Sequence, residues 1–271
     1  MIALVHLVWA PLGLGPPRAF LRSYRAHPAG AEHELVVLLN GLEVSKDTSF
    51  RATLEQDLAD VPHRLLPLQQ PLLDLAAYGC ATQLLEHSQI CFLNSYSVIL
   101  ADGWLGMLAN ALDEPKAGLV GATGSWESQA EWARGPLAHR PLQLAQLSAA
   151  RRDYPRFPNP HVRTTAFLAD RARLQQVPLA EVHDKRSAYL LESGYDSVTR
   201  RVMAEGLRVL VVSRDGRAHD IPRWPDSGTF RSLSQRNLLV ADNRTRDWER
   251  ASPGLRRRLS RDAWGSRAPI S

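Results

Sequence analysis

The sequence predicts an α/β fold with a mostly parallel central sheet and helices on both faces. Short apolar runs rich in β-branched residues alternate with amphipathic helical patterns, at the spacing of β-α-β units. The runs are apolar throughout, which is typical of strands that are buried on both faces. At 271 residues the chain is also long enough to bury a substantial core.

The first β-α-β unit shows the pattern most clearly. Residues 4–9 and 34–39 are predicted strands that end in turn residues, and 17–27 is a predicted helix with an apolar and a basic face. The alternation then continues along the chain. Further strands are predicted at 63–68, 89–93, 118–122, 162–169 and 207–212. Further helices are predicted at 47–58, 72–87, 104–112, around 142–151, at 171–176, at 188–205 with an interruption at Gly194, and at 253–263.

The composition is that of a soluble globular protein, with 44% hydrophobic and 23% charged residues, and it excludes disordered, collagenous and membrane-bundle classes. No apolar run reaches the roughly 18 residues that a membrane span needs, and no basic region precedes the apolar residues at the start. Two cysteines, Cys80 and Cys91, are too few for a disulfide framework. We therefore expect free thiols and a cytoplasmic protein.

Charge divides the chain into an expected domain at 1–220 and a basic C-terminal extension at 221–271 that packs on it. From Arg214 onward there are thirteen arginines and seven acidic residues, whereas the preceding part is nearly neutral. Such an extension suits an anionic ligand, a membrane surface or a nucleic acid, or is simply a solvated helix. No nucleic-acid module is recognisable, so we expect none bound. A lid over the site, peripheral contact with the inner membrane face and a homodimer contact stay open.

The segment 92–105 carries the most informative motif. A buried strand ends in the polar residues Asn94, Ser95 and Tyr96, and a helix then starts at Trp104. This order resembles the family 2 glycosyltransferases with the GT-A fold, over about residues 3–220. The resemblance implies a GT-A-like single domain. It also implies inverting transfer of a sugar from a nucleotide diphosphate sugar to an acceptor hydroxyl.

The strand end departs from that family in one respect. Relatives place Asp-x-Asp there to hold a divalent cation against the donor diphosphate, whereas this chain has no carboxylate at the matching positions. Because Mg²⁺ and Mn²⁺ prefer anionic oxygen ligands, use of either metal is left open. Arginine, lysine and backbone N–H groups are the alternative means of neutralising the diphosphate. Asp102 either supplies one carboxylate or caps the following helix.

A second cluster lies at 185–201. On a continuous helix Glu192 and Asp196 would share one face, four residues apart. Inverting transfer needs a carboxylate that deprotonates the acceptor hydroxyl, and the resemblance places it at a late helix. Glu192 is the predicted base and Asp196 the alternative, unless Asp196 only forms a surface ion pair with Arg200.

The remaining candidate residues follow from the rule that ligands bind beyond the carboxyl ends of strands in open α/β sheets. Trp9 and its neighbours end the first strand, Asn40 ends the second, and Asp74 precedes a small-residue helix that backs the nucleoside in relatives. The predicted donor-binding residues are Trp9, Pro11, Asn40, Asp74, Tyr78, Asn94, Ser95 and Tyr96. The predicted phosphate or acceptor contacts are Arg163, Lys185 and His219, and His161 is expected to be structural.

Two other functions compete with sugar transfer. A non-catalytic relative that keeps the fold and binds a sugar nucleotide or glycan is compatible with the missing Asp-x-Asp. A nucleotidyltransferase is disfavoured, because the chain lacks a glycine-rich, lysine-containing phosphate loop after the first strand.

Overall fold

The computed structural model describes residues 1–45, 47–131 and 148–268. The strands are β1 (Ile2–Trp9), β2 (His33–Asn40), β3 (Arg64–Pro67), β4 (Gln89–Leu93), β5 (Val98–Ile99), β6 (Ala117–Gly121), β7 (Gly124–Ser125), β8 (His161–Val162), β9 (Ala166–Asp170), β10 (Arg208–Val212), β11 (Ala218–Asp220) and β12 (Val240–Ala241). The helices are α1 (Gly15–Ala26), α2 (Phe50–Asp57), α3 (Asp74–Leu84), α4 (Trp104–Leu112), α5 (148–153), α6 (Arg171–Leu174), α7 (Lys185–Ser193), α8 (Val198–Ala204), α9 (Asn243–Arg250) and α10 (Pro253–Trp264).

An eight-stranded sheet in the order β11-β10-β6-β9-β4-β1-β2-β3 forms the centre of the molecule. The pairs β1–β2, β1–β4, β2–β3 and β6–β10 are parallel, which confirms the predicted mostly parallel α/β architecture. Strand β9 is the exception in the interior of the sheet. It runs antiparallel to both β4 and β6, so its first residues lie beside the carboxyl ends of those strands.

Side chains of the central strands alternate between two cores. In β1, Ala3, Val5 and Leu7 belong to one apolar cluster, whereas Ile2 and Leu4 belong to the other. All five are buried. The uninterrupted apolar sequence of β1 is therefore explained by burial of both faces of the sheet.

The predicted strand at 162–169 is divided into two strands that belong to different sheets. β8 pairs with β7 outside the main sheet, and β9 pairs within it. Residues 163–165 belong to neither strand. They lie next to the end of β4, because the following residue, Ala166, pairs with Leu93 there. This break places polar side chains at the carboxyl edge of the sheet.

The helical region that follows is interrupted at Gly194, as predicted. Asp184 starts α7 with a capping box, in which its side chain accepts a hydrogen bond from the Ser187 backbone. Ser197 caps α8 in the same way through the backbone N–H of Arg200. Two separate caps define two helices, so residues on either side of Gly194 do not share one helical face.

The C-terminal extension packs against the rest of the chain over its described part, 221–268. β12 pairs with β5. Trp224, Phe230 and Trp264 are fully buried in the apolar cluster that also contains Ala3, Val5 and Leu7 of β1. The Trp264 indole N–H donates to the Phe230 carbonyl over 2.8 Å. No helix among the described residues is long and apolar enough to cross a bilayer.

Two local predictions concern Asp102 and the helix around residues 142–151. Asp102 does not cap α4, because Gly103 occupies the N-cap position and the Asp102 carboxylate lies 2.7 Å from Nδ1 of His27. Of the helix expected around 142–151, residues 142–147 lie outside the described part of the chain. The residues at 148–151 are helical and belong to α5.

Candidate active site

A cleft of about 470 Å³ lies beside the carboxyl end of β4. Asn94 and Tyr96 line it from the strand end, Arg163 from the β8–β9 connection, and Glu192 from the end of α7. Asp74 lines it from the start of α3. Five predicted site residues that are far apart in sequence thus border one cavity, because β4, β9, α3 and α7 all end or begin at this edge of the sheet.

Asn94 shapes the strand end through its own side chain. Its Oδ1 accepts hydrogen bonds from the Tyr96 backbone N–H over 2.9 Å and from the Ser97 hydroxyl over 3.2 Å. The resulting turn directs the chain away from the sheet. The amide oxygen of Asn94 is therefore already used, and it is a weak substitute for a metal-binding carboxylate.

The residues at this edge do not fit a divalent cation held by carboxylates. Among the described residues, no group of three or more His, Cys, Asp or Glu side chains is arranged to hold a metal ion. Asp74, Glu192 and Asp242 do line the cleft, but Asp242 is committed to other contacts. Its carboxylate accepts from the Thr165 hydroxyl over 2.6 Å and from the Thr245 backbone N–H over 2.9 Å.

Glu192 is a half-buried carboxylate that faces the cleft. It makes no hydrogen bond or ion pair with any other described residue, unlike Asp242. Its negative charge reaches across to Asp74. Partial desolvation by the walls of the cleft, and then the charge of Glu192, raise the pKa of Asp74, even though Asp74 retains solvent contact. The cleft therefore contains two facing carboxylates, one of which is easier to protonate than usual.

Asp196 does not share this cavity, so its expected position beside Glu192 is wrong. The helix ends at Ser193, and the Asp196 side chain is 75% exposed and forms an ion pair with Arg201 rather than Arg200. It borders a different hollow, together with Tyr195. The cause is the interruption at Gly194, which removes the four-residue spacing on which the prediction depended.

Three predicted donor contacts are instead part of the protein interior. Asn40 is fully buried, and its amide donates to the Leu72 carbonyl over 2.8 Å and accepts from the Leu72 N–H over 3.0 Å. Tyr78 is fully buried and stacks on Phe92 with a centroid distance of 4.3 Å. Ser95 is 6% exposed. Asn40 and Ser95 lie at strand ends and Tyr78 lies within a helix, as predicted, but all three side chains are buried.

Trp9 lines a second cavity of about 400 Å³ together with Leu72, Leu73 and His183. Its ring packs over Gly41, where an added Cβ would lie 2.4 Å from the ring and φ is +75°. Leu73 borders this cavity and the next residue, Asp74, borders the main cleft, so both cavities have a wall at the start of α3. Pro11 lies exposed in the turn after β1 and lines neither cavity.

Two basic candidates lie away from the cleft. Lys185 is the exposed first residue of α7 and does not line the cleft. His219 sits on the edge strand β11, where its Nε2 lies 2.8 Å from the Ser213 hydroxyl, and burial lowers its pKa. Neither residue lines the cleft, although both were predicted to contact a phosphate or the acceptor.

The His161 side chain makes a structural hydrogen bond and also lines the cleft. Its Nδ1 is bonded to the Asn159 carbonyl over 3.0 Å, as expected for a structural histidine, and it also lines the cavity. Burial lowers its pKa, and the charge of Glu192 opposes that shift.

Comparisons with known proteins add a likeness of fold. No family model and no curated protein sequence matches the chain. The chain is similar to several solved structures, and three of them are a mannosyltransferase, a glucosyl-3-phosphoglycerate synthase and a protein named TarS.

The mannosyltransferase PcManGT from Pyrobaculum calidifontis, solved with GDP-Man and Mn²⁺, is 14% identical, with a TM-score of 0.46 over 84% of this chain and 59% of that one. Glucosyl-3-phosphoglycerate synthase from Mycobacterium tuberculosis is 14% identical, with a TM-score of 0.39 over 64% and 57%. S. aureus TarS is 15% identical, with a TM-score of 0.35 over 44% and 21%. The chain thus spans less than two thirds of each of these proteins, and likenesses at these TM-scores say nothing about substrate.

Several cleft residues were missed by sequence reasoning. Glu127 follows β7 in a stretch without periodicity, and Arg231 and Arg244 are two among many arginines of the extension. Asp242 had a usable signal, because Asp242 and Thr245 are spaced as a capping box before a helix. The extension was predicted to pack on the domain, with a lid over the site left open, but none of its residues was named as a site residue; Arg231, Asp242 and Arg244 in fact line one wall of the cleft.

Proposed function

We propose that this protein is an inverting glycosyltransferase that moves a sugar from a nucleotide diphosphate sugar to an acceptor hydroxyl. The observation that carries the proposal is that Asn94 and Glu192 border one cleft beyond the carboxyl end of β4. Ligands of open α/β sheets bind at this edge. The cleft combines a carboxylate without a partner among the described residues with arginines that suit phosphate oxygens.

Glu192 has the position and chemistry of the general base. As the acceptor oxygen attacks the anomeric carbon, its proton passes to the Glu192 carboxylate, and the bond from the anomeric carbon to the diphosphate oxygen breaks. The products are the glycosylated acceptor with inverted configuration, free nucleoside diphosphate and protonated Glu192. Since no described residue bonds to Glu192, its oxygens are free to accept that proton.

The two cavities suit the two halves of the donor. The nucleoside occupies the cavity of Trp9, whose aromatic ring offers a flat apolar surface, and the diphosphate and sugar extend past Asp74 into the main cleft. The described residues do not offer a carboxylate set for Mg²⁺ or Mn²⁺. Arginines of the cleft wall are therefore the groups that we expect to neutralise the diphosphate.

Donor turnover tests the proposal. The protein is incubated with a panel of nucleotide sugars and candidate acceptors, and release of nucleoside diphosphate is measured. Glu192→Gln is expected to slow transfer by about a hundredfold or more. Asp196→Asn is the matched variant, and we expect it to retain full transfer because its carboxylate is exposed outside the cleft.

Two results would contradict this scheme. Full transfer by Glu192→Gln would remove the proposed base. Calorimetric binding of a nucleotide sugar without turnover across donors and acceptors would instead support the non-catalytic alternative, a protein that binds a sugar nucleotide or glycan.

We also propose that α10 contacts an anionic membrane surface on the cytoplasmic side. Arg257, Arg258 and Arg261 are exposed on this helix and form no ion pair with a carboxylate of the described residues. Leu259 of the same helix lines the cleft, so such contact would hold the cleft near the membrane surface. The wild-type protein should sediment with phosphatidylglycerol vesicles but not with vesicles of phosphatidylcholine alone, and Arg257→Glu/Arg258→Glu should not sediment with either. Equal binding in all of these cases would contradict the membrane contact.

A further inference from the structure

One wall of the cleft holds two guanidinium groups against a single aromatic ring. The guanidinium carbons of Arg163 and Arg231 lie 4.4 Å and 4.8 Å from the ring centroid of Phe230, which is fully buried. The Arg231 side chain is only 9% exposed. Both arginines line the cleft. The arrangement therefore brings two positive charges close together in a largely desolvated wall.

These arginines are incompletely paired. The Nε atoms of Arg163 and Arg231 are buried and have no hydrogen-bond partner among the described residues. Glu127 is the carboxylate that pairs with Arg231, at 3.4 Å between Oε2 and Nη1, and no such ion pair is formed by Arg163 within the described part of the chain. Buried donors without partners are uncommon in folded proteins. Because both arginines line the cleft, a ligand bound there can supply acceptor oxygens to their remaining N–H groups.

Burial and neighbouring charges both act on the Arg231 guanidinium. Burial, with a smaller contribution from the charges of Arg163 and Arg244, lowers the pKa of Arg231 to about 10, although the charges of Glu127 and Asp262 oppose the shift. Arg231 remains protonated at neutral pH. An anion bound between these groups would relieve their mutual repulsion.

The backbone holds Arg231 in this position at an energetic cost. Arg231, Leu233, Ser234 and Gln235 all have positive φ, from 46° to 54°, a region that non-glycine residues rarely adopt. The Gln235 side chain secures this loop. It accepts from the Arg231 backbone N–H over 3.1 Å and donates to the Thr245 carbonyl over 3.1 Å. Strain maintained by such contacts is typical of functional sites.

We propose that Arg163 and Arg231 form a subsite that binds a phosphate-type oxyanion of the reactants. Guanidinium groups present paired N–H donors that match phosphate oxygens. The inference rests on the proposed function for the origin of the anion, which is either the diphosphate of the donor or a phosphate carried by the acceptor. The site itself is defined by the arginines and can be tested without turnover.

Calorimetry with inorganic pyrophosphate in the presence of EDTA tests the subsite. We expect the wild-type protein to bind, and Arg163→Gln and Arg231→Gln each to weaken binding by roughly tenfold or more. Glu127→Gln should tighten binding, because it removes the negative charge that pairs with Arg231. Arg217→Gln is the matched control, since that side chain is 79% exposed at the far edge of the sheet, and its affinity should equal that of the wild type.

Unchanged pyrophosphate affinity in both arginine variants, or no binding by the wild-type protein, overturns the subsite. Melting temperatures measured alongside identify any variant that unfolds. If Arg231→Gln unfolds, the subsite is tested by weaker pyrophosphate binding in Arg163→Gln and tighter binding in Glu127→Gln.

Competition identifies the source of the anion. If UDP or GDP displaces pyrophosphate, the subsite holds the donor diphosphate, whereas simultaneous binding of inorganic phosphate and a nucleoside diphosphate assigns it to the acceptor. Both results support an anion subsite. Neither depends on sugar transfer, so loss of the proposed activity and loss of the subsite are distinguishable.

Discussion

Replacing Asn40 separates a structural role from a role in donor binding. In Asn40→Ala, the two hydrogen bonds to the Leu72 backbone are lost. At about 1 kcal/mol each, with a further cost because the Leu72 groups lose their partner, the free energy of unfolding should fall by about 2 to 3 kcal/mol. For a chain of this size that corresponds to a decrease in melting temperature of about 4 to 5 °C.

The measurement is urea or thermal unfolding of the protein without any ligand. Asn110→Ala is the matched control, because Asn110 is exposed on α4 and its stability should stay within about 0.5 kcal/mol of the wild type. If Asn40→Ala leaves the unliganded protein as stable as the control and weakens only nucleotide binding, the structural assignment is refuted.

Three further predictions concern stability and the Trp9 cavity. His6 is fully buried and its pKa is lowered to about 3, so it stays neutral in the folded protein, whereas the unfolded chain takes up a proton below pH 6.5. The free energy of unfolding should therefore fall by about 2 kcal/mol from pH 7.5 to pH 5. Urea titrations at the two pH values should show that His6→Leu removes this loss. Asp242→Ala should cost about 3 kcal/mol in chemical denaturation, through the lost α9 cap and the lost Thr165 bond, and a cost below about 1 kcal/mol would contradict the role assigned to these contacts. Gly41→Ala should weaken nucleotide binding in calorimetry because the methyl group would displace the Trp9 ring, and an unchanged dissociation constant would show that this ring does not contact the nucleoside.

The interruption at Gly194 shows how a local feature decides a site. The sequence correctly predicts a break there, yet the placement of Glu192 and Asp196 on one face assumed a continuous helix. Separate caps at Asp184 and Ser197 orient two short helices independently. Glu192 enters the cleft as a result, and Asp196 turns to the surface.

Residues at strand ends illustrate a second limit. The positions of Asn40, Asn94 and Ser95 at the carboxyl edge of the sheet follow directly from the lengths of the apolar runs. Whether each side chain faces a cavity or the interior depends on the turn that follows the strand. Asn94 lines the cleft, whereas Asn40 is hydrogen-bonded to Leu72, which lies just before α3 and is distant in sequence.

The amino-acid sequence by itself determined the alternating strands and helices, the mostly parallel sheet and the edge at which a site forms, because these follow from hydrophobic periodicity and short-range turn chemistry. Only the tertiary structure decided that β9 is antiparallel and that the C-terminal extension supplies Arg231 and Asp242 to the cleft. The physical reason is that these features depend on contacts between segments far apart in the chain, and no local pattern encodes which buried surface a segment will meet.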